Sequence, residues 1–225
     1  MKRKLIGILL LGFASGLPYM LVFSTLTAWL RDVGISLTEI GFFAWLVLTY
    51  SLKFLWAPFV DRYSIPGFKF FGKRRGWILF SQSAIFLSLI GMSLIDPLQN
   101  IQLLALFAFF AAFFGSIQDV AVDALRIEIG EAKEQGDLAA SYQLGYRVAI
   151  LVATSMALIF ADLYSWSYVY QLMGILMLIG SAGALICYEP TNQEIAILRF
   201  DEALLGALKD FFNRFGLWSA ALLLL

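Results

Sequence analysis

Long apolar runs broken by short polar breaks organise this chain. They lie at about 5–30, 40–60, 76–95, 101–125, 138–161 and 167–188, and another begins near 216 and runs to Leu225. Each is far longer than a buried strand needs, and Phe, Leu, Ile and Ala dominate them. Crossing about 30 Å of hydrocarbon takes roughly 20 apolar residues, so each full run predicts a membrane-spanning helix. The breaks at Asp32–Glu39, Asp96–Asn100 and Asp162–Ser165 are short, which makes neighbouring helices antiparallel. Trp29, Trp56, Tyr63, Trp77, Tyr164, Trp166, Tyr168 and Tyr188 fall at predicted span ends, where amphipathic rings favour the membrane–water boundary. A different pattern follows Glu189-Pro190. Ile197, Phe200, Leu204, Leu208, Phe211 and Phe215 recur at helical spacing, with Glu194, Asp201, Lys209 and Asp210 off that stripe. This predicts an amphipathic helix lying on the membrane surface, with a loop of chance spacing as the alternative. The expected architecture is all-α and integral to the membrane: a six-helix bundle over residues 1–189, an amphipathic linker over 190–215 and the start of a seventh span over 216–225.

The charges fix an orientation. With the N-terminus inside, the inner segments hold Lys2, Arg3, Lys4, Arg62, Lys69, Lys73, Arg74, Arg75, Arg126, Lys133, Arg199, Lys209 and Arg214. The outer loops hold only Arg31, and Lys53 and Arg147 fall within spans. That asymmetry is the positive-inside pattern. Lys2–Lys4 followed by Leu5–Leu11 imitates the start of a signal peptide, but the apolar run continues unbroken to Leu30.

Composition narrows the chemistry. Of 225 residues 61% are hydrophobic and 14% charged, too few charges to solvate a water-soluble fold of this size. Sixteen basic residues balance sixteen acidic ones, so nothing advertises a nucleic-acid partner. Histidine is absent, which removes Ser-His hydrolysis and His-ligated zinc or haem, and no cofactor is expected. The single cysteine, Cys187, has no partner for an internal disulfide.

Ionisable groups inside spans cost several kcal/mol and are functional candidates by default. They are Lys53 in the second span, Asp119, Asp123 and Arg126 in the fourth, and Arg147 in the fifth. At about 1.5 Å of rise per residue, Lys53 lies roughly 20 Å and Asp119 about 24 Å from the outer surface, with Arg147 roughly 13 Å from the inner one. All three reach the inner half of the bilayer, where opposite charges at one level can pair. Asp119, Asp123 and Arg126 share one helix face. An alternative is that the fourth helix leaves the membrane near Gln118, with Asp123 and Arg126 solvated. Between the second and third spans stand Asp61-Arg62-Tyr63 and Gly72-Lys73-Arg74-Arg75-Gly76. One reading is a gate latch in which Asp61 pairs with the arginines or with a helix N-terminus; the other is a basic loop that only sets orientation.

An acid and arginine closing the second span, with a Gly-basic-basic cluster before the third, resembles the signature of the major facilitator superfamily. Ala57 stands where a glycine is common, and Ser64–Phe71 lengthens the loop. Within that superfamily the chain is similar to the muropeptide permeases, the AmpG family. The resemblance is carried by Gly12-Phe13-Ala14-Ser15-Gly16-Leu17-Pro18, Ile40-Gly41-Phe42-Phe43, Lys53-Phe54-Leu55-Trp56-Ala57-Pro58, Arg74-Arg75-Gly76-Trp77, Gln118-Asp119 with Asp123-Ala124, Gly145-Tyr146-Arg147 and Glu189-Pro190. Acetyl-CoA transporters share part of this set, notably the pattern around Asp119 and Asp123.

The resemblance implies proton-driven import of N-acetylglucosaminyl-anhydromuramyl peptides across a bacterial inner membrane, the N-terminus cytoplasmic. It implies a substrate path between two six-helix halves, of which this chain covers the first as a fragment or truncated product, so that a missing or separate C-terminal half is an expected partner beside lipid, substrate and protons. It marks Lys53, Asp119, Asp123 and Arg147 as pathway residues. Asp119 or Asp123 would carry the proton, and Lys53 and Arg147 would meet substrate carboxylates or hold the aspartates charged. Asp61, Arg62, Lys73, Arg74 and Arg75 would form the gating loop. The enzyme alternative is an integral-membrane transferase holding a magnesium diphosphate on Asp119-Val-Ala-Val-Asp123, but the companion motifs of such enzymes are missing from the sequence.

Overall fold

The computed structural model describes residues 1–189; the expected amphipathic linker and seventh span lie outside the described residues. Among the described residues six helices are long and apolar enough to cross a membrane: α1 (Lys2–Asp32), α2 (Leu37–Leu55), α3 (Lys73–Ser93), α4 (Ile101–Ile129), α5 (Ala132–Leu163) and α6 (Trp166–Ile186). Short connections make successive helices antiparallel. The expected spans match these helices, with two differences. Helix α4 runs on past Asp119, Asp123 and Arg126 to Ile129, and α5 begins after a break of only two residues. The second span is not one regular helix: tight three-residue turns at Ala44–Leu46 and Lys53–Leu55 interrupt it, and Ala57–Arg62 forms a separate short helix. Pro58 stands in the first turn of that short helix, where its missing N–H costs nothing.

Helix ends are set by local chemistry. Ser36 and Glu39 form a capping box at the start of α2, and the Asn100 side chain accepts from the Leu103 N–H at the start of α4. The chain turns away from α1 at Gly34, two residues past Asp32, where a φ of 85° favours a residue without Cβ.

Helix α1 is the hub, packing on α4, α5 and α6. It is 67% buried over its most apolar stretch, against 22% for α5 and 6% for α2, so α2 and α5 present the uncovered side of the bundle. Small residues allow the closest approach. A Cβ on Gly12 would strike the Tyr142 carbonyl, and one on Gly145 would strike the Leu9 carbonyl, so α1 and α5 meet backbone to backbone. In lipid, where apolar side chains gain nothing by leaving solvent, such close packing and interhelical hydrogen bonds hold helices together. Ser141 donates to the Leu5 carbonyl at 2.7 Å and Thr25 to the Ala153 carbonyl at 2.5 Å along the same seam. Each of the two helices also widens by one residue per turn there, at Leu21–Thr25 and at Val152–Met156. In α1 this follows Pro18, which cannot donate to Ala14 and crowds its carbonyl.

Candidate functional site

Helix α4 supplies the axis of the site. Gly115 and Asp119 are one turn apart on one face, and Asp123 continues it. Three other helices close around Asp119: Ser15 comes from α1, Tyr50 and Lys53 from α2, and Tyr142 and Tyr146 from α5. The Ser15 hydroxyl lies between Asp119 and Tyr142 without reaching good hydrogen-bond geometry to either. Tyr19, one turn beyond Ser15, stands edge-on to Tyr50 with ring centres 5.1 Å apart, and Phe23 packs on the same ring at 5.8 Å. Tyr142 and Tyr146 lie 6.1 Å apart, and the Arg126 guanidinium sits 6.0 Å from the Tyr142 ring.

Several buried polar atoms here have no hydrogen-bond partner among the described residues: Ser15 Oγ, Tyr50 Oη, Asp119 Oδ1, Arg126 Nε and both amide atoms of Gln118. A buried group left unpaired costs about 1–3 kcal/mol, and natural folds keep few of them. Ser15, Tyr50 and Asp119 lie close together inside a membrane bundle, where unpaired polar atoms can receive a polar group or a proton.

The candidate charges divide. Asp123 is bound by Arg126 three residues on, at 3.5 Å. Lys53 is half-buried and acts on Asp119 from a distance; neither it nor Arg147 has an ion-pair partner within 4 Å among the described residues. The expected interhelical pairing at one depth is therefore not what the structure has. The reason is rotation. Gly145 points at α1, and Arg147, two residues further and turned by about 200°, points away from the bundle. Arg147 is exposed on the uncovered side of α5.

A second cluster joins the short helix Ala57–Arg62 to the ends of α3, α4 and α6. The Arg74 side chain is only 3% exposed and binds Asp61 at 2.6 Å through Nη1 and Glu128 through Nε at 2.9 Å and Nη2 at 2.5 Å. Lys73 donates to the Asp61 carbonyl at 2.6 Å, and Trp77 donates to the Tyr63 carbonyl at 2.7 Å. Arg62 lies over the neighbouring Tyr63 ring, 5.6 Å from its centre. Glu189 accepts from the backbone N–H groups of Arg74 and Arg75 at 2.8 and 3.1 Å, so its carboxylate caps the positive end of α3. Gly72 makes this possible: its φ is 100°, and a Cβ there would collide with the Glu189 side chain. Thus Asp61 meets Arg74, while the anion at the helix N-terminus is Glu189 rather than Asp61.

Sequence reasoning passed over Ser15, Tyr19, Tyr50, Tyr142, Tyr146 and Glu128 as site residues. A signal existed for the tyrosines. All four lie away from the span ends where the other tyrosines gather. For Glu128 there was none beyond its place at the foot of α4.

Six antiparallel spanning helices with ionisable groups gathered between them define a multi-pass membrane protein. The chain belongs to the Major Facilitator Superfamily, whose sequence profile matches residues 8–225. It is 38% identical to the anhydromuropeptide permease of Escherichia coli K12 over 218 residues, 96% of this chain and 44% of the permease. It is 37% identical to a Haemophilus influenzae protein whose name carries no function, covering 97% of this chain and 51% of that one. A Rickettsia felis protein bearing an AmpG transporter name is 32% identical, over 94% of this chain and 53% of its own length. The chain spans about half the length of the curated relatives it matches.

Proposed function

We propose that this chain forms the N-terminal half of a secondary transporter that carries anhydromuropeptides into the cytoplasm, driven by protons. The observation that carries the reading is Asp119: a buried carboxylate with an unpartnered oxygen, facing Ser15, Lys53 and tyrosines from three neighbouring helices. Similarity to an anhydromuropeptide permease supports the substrate class. Asp119, rather than Asp123, carries the coupling proton, because Asp123 is already tied to Arg126. Lys53 and Arg147, unpaired on the least covered side of the bundle, meet the carboxylates of the peptide, and the second half of the transporter closes the path over them. Asp61, Arg62, Lys73, Arg74 and Arg75 form the inner latch. The excess of basic residues on one side supports a cytoplasmic N-terminus in a bacterial inner membrane.

The test is uptake of labelled anhydromuropeptide by the intact transporter in vesicles from cells lacking their own permease. Acid outside should drive accumulation, a protonophore should abolish it, and excess acetyl-CoA should leave it unchanged. Absence of muropeptide uptake in the presence of acetyl-CoA transport, or magnesium-dependent turnover of a lipid diphosphate, would overturn the proposal.

A further inference from the structure

Gly115 is a notch in α4. A Cβ built on it would land on the Tyr50 hydroxyl, so the bare backbone is what lets that phenol reach the helix. The next atoms are further off, Tyr50 Cζ at 3.3 Å and Pro18 Cγ at 3.8 Å. Side chains on an α-helix lean toward its N-terminus, over the turn before their own Cα. Asp119 stands one turn after Gly115 on the same face, and its carboxyl and the phenol are close enough to feel each other's charge but are not hydrogen-bonded in this structure. Tyr50 Oη and Asp119 Oδ1 are both buried, and neither has a partner among the described residues. Tyr50 is held in place by rings rather than by hydrogen bonds: Tyr19 and Phe23 of α1 pack edge-on against it.

The geometry points to Tyr50 as a positioning residue for Asp119, a phenol seated by the Gly115 notch that donates its hydrogen bond to the ionised carboxylate. This rests on the reading of Asp119 as the proton carrier. Tyr50 keeps its own proton throughout; it biases the carboxylate toward its charged form, because a donor favours the acceptor that bears charge. Protonation of Asp119 then removes the reason for the contact, which couples the state of α4 to the position of α2. The other titratable or charged groups facing Asp119 are Lys53 from α2, Asp123 from α4, and Tyr142 and Tyr146 from α5. None of these is seated against the Gly115 notch.

The experiment is the pH profile of muropeptide uptake by the intact transporter in vesicles. Tyr50→Phe removes the donor and keeps the ring, so half-maximal uptake should move to higher pH by about one unit, a tenfold change in proton concentration. Gly115→Ala puts a methyl where the hydroxyl sits, and should lower the amount of folded protein. The double variant Tyr50→Phe with Gly115→Ala has room for that methyl, and should recover folded protein while keeping the Tyr50→Phe profile. An unchanged profile in Tyr50→Phe, or a double variant as poorly folded as Gly115→Ala, overturns the inference. Asp119→Asn separates the two levels. If it retains full pH dependence, the proton-carrier reading has failed; if it loses that dependence while Tyr50→Phe changes nothing, only the role of Tyr50 has failed.

Discussion

Replacing Arg74 by Met tests the inner charge cluster most severely. The guanidinium is almost fully enclosed, its Glu128 partner is 14% exposed and its Asp61 partner 49% exposed. Met fills most of the same volume but leaves the Glu128 carboxylate buried and alone. Breaking a buried pair from one side costs about 3–5 kcal/mol, whereas an ion pair open to solvent contributes about 1 kcal/mol or less. Arg74→Met should therefore cost about 3 kcal/mol or more, and Asp61→Asn at most about 1 kcal/mol. The double variant Arg74→Met with Glu128→Gln removes the enclosed pair and should recover most of the loss, because the one carboxylate left without its partner, Asp61, is half exposed to solvent. Unfolding by sodium dodecyl sulfate from dodecylmaltoside micelles, followed by tryptophan fluorescence, measures all three. The reasoning is refuted if Asp61→Asn costs as much as Arg74→Met, or if adding Glu128→Gln deepens the loss.

Further outcomes follow from single contacts. Gly145→Val drives a branched side chain into the Leu9 carbonyl, and backbone cannot move aside as a side chain can; folded protein on size-exclusion chromatography should fall sharply, by about 3 kcal/mol or more in the same unfolding assay. Asn100→Ala removes the side chain that accepts from Leu103 and should cost about 1 kcal/mol, read in the same way. The Cys187 sulfur is buried and seated against Gly7. A thiol must be reached to react, so maleimide labelling of the folded protein should be slow and become fast on unfolding.

The spans were legible in the sequence because lipid imposes a length and an apolar composition on every crossing. The pairing of Asp61 with Arg74 was legible in part: the two flank one connection, so an acid and a cluster of arginines are brought close, but which arginine it meets and the second partner Glu128 were not. The gathering around Asp119 was not. Depth follows from counting residues, but which way a side chain faces depends on how neighbouring helices are rotated, and the small residues at Gly12 and Gly145 decide that by letting α1 and α5 touch. By residue count Lys53, Asp119 and Arg147 fall at similar depth, and yet Arg147 is turned outward while uncharged Ser15, Tyr50 and Tyr142 are turned inward. The break in α2 at Lys53–Leu55 and the wide turns at Leu21–Thr25 and Val152–Met156 left no trace in hydropathy either, since every residue in the wide turns fits a regular span.

The central claim is that Asp119 carries the coupling proton, and Asp119→Asn tests it most directly. Asn imitates the protonated carboxyl in shape and charge, so the transporter should still exchange internal for external muropeptide. It should no longer accumulate it when acid is imposed outside. The measurement is labelled anhydromuropeptide in vesicles, assayed both for exchange at equal pH and for accumulation under a pH gradient. Exchange preserved with accumulation lost is the predicted result. Full pH-driven accumulation by Asp119→Asn would contradict it.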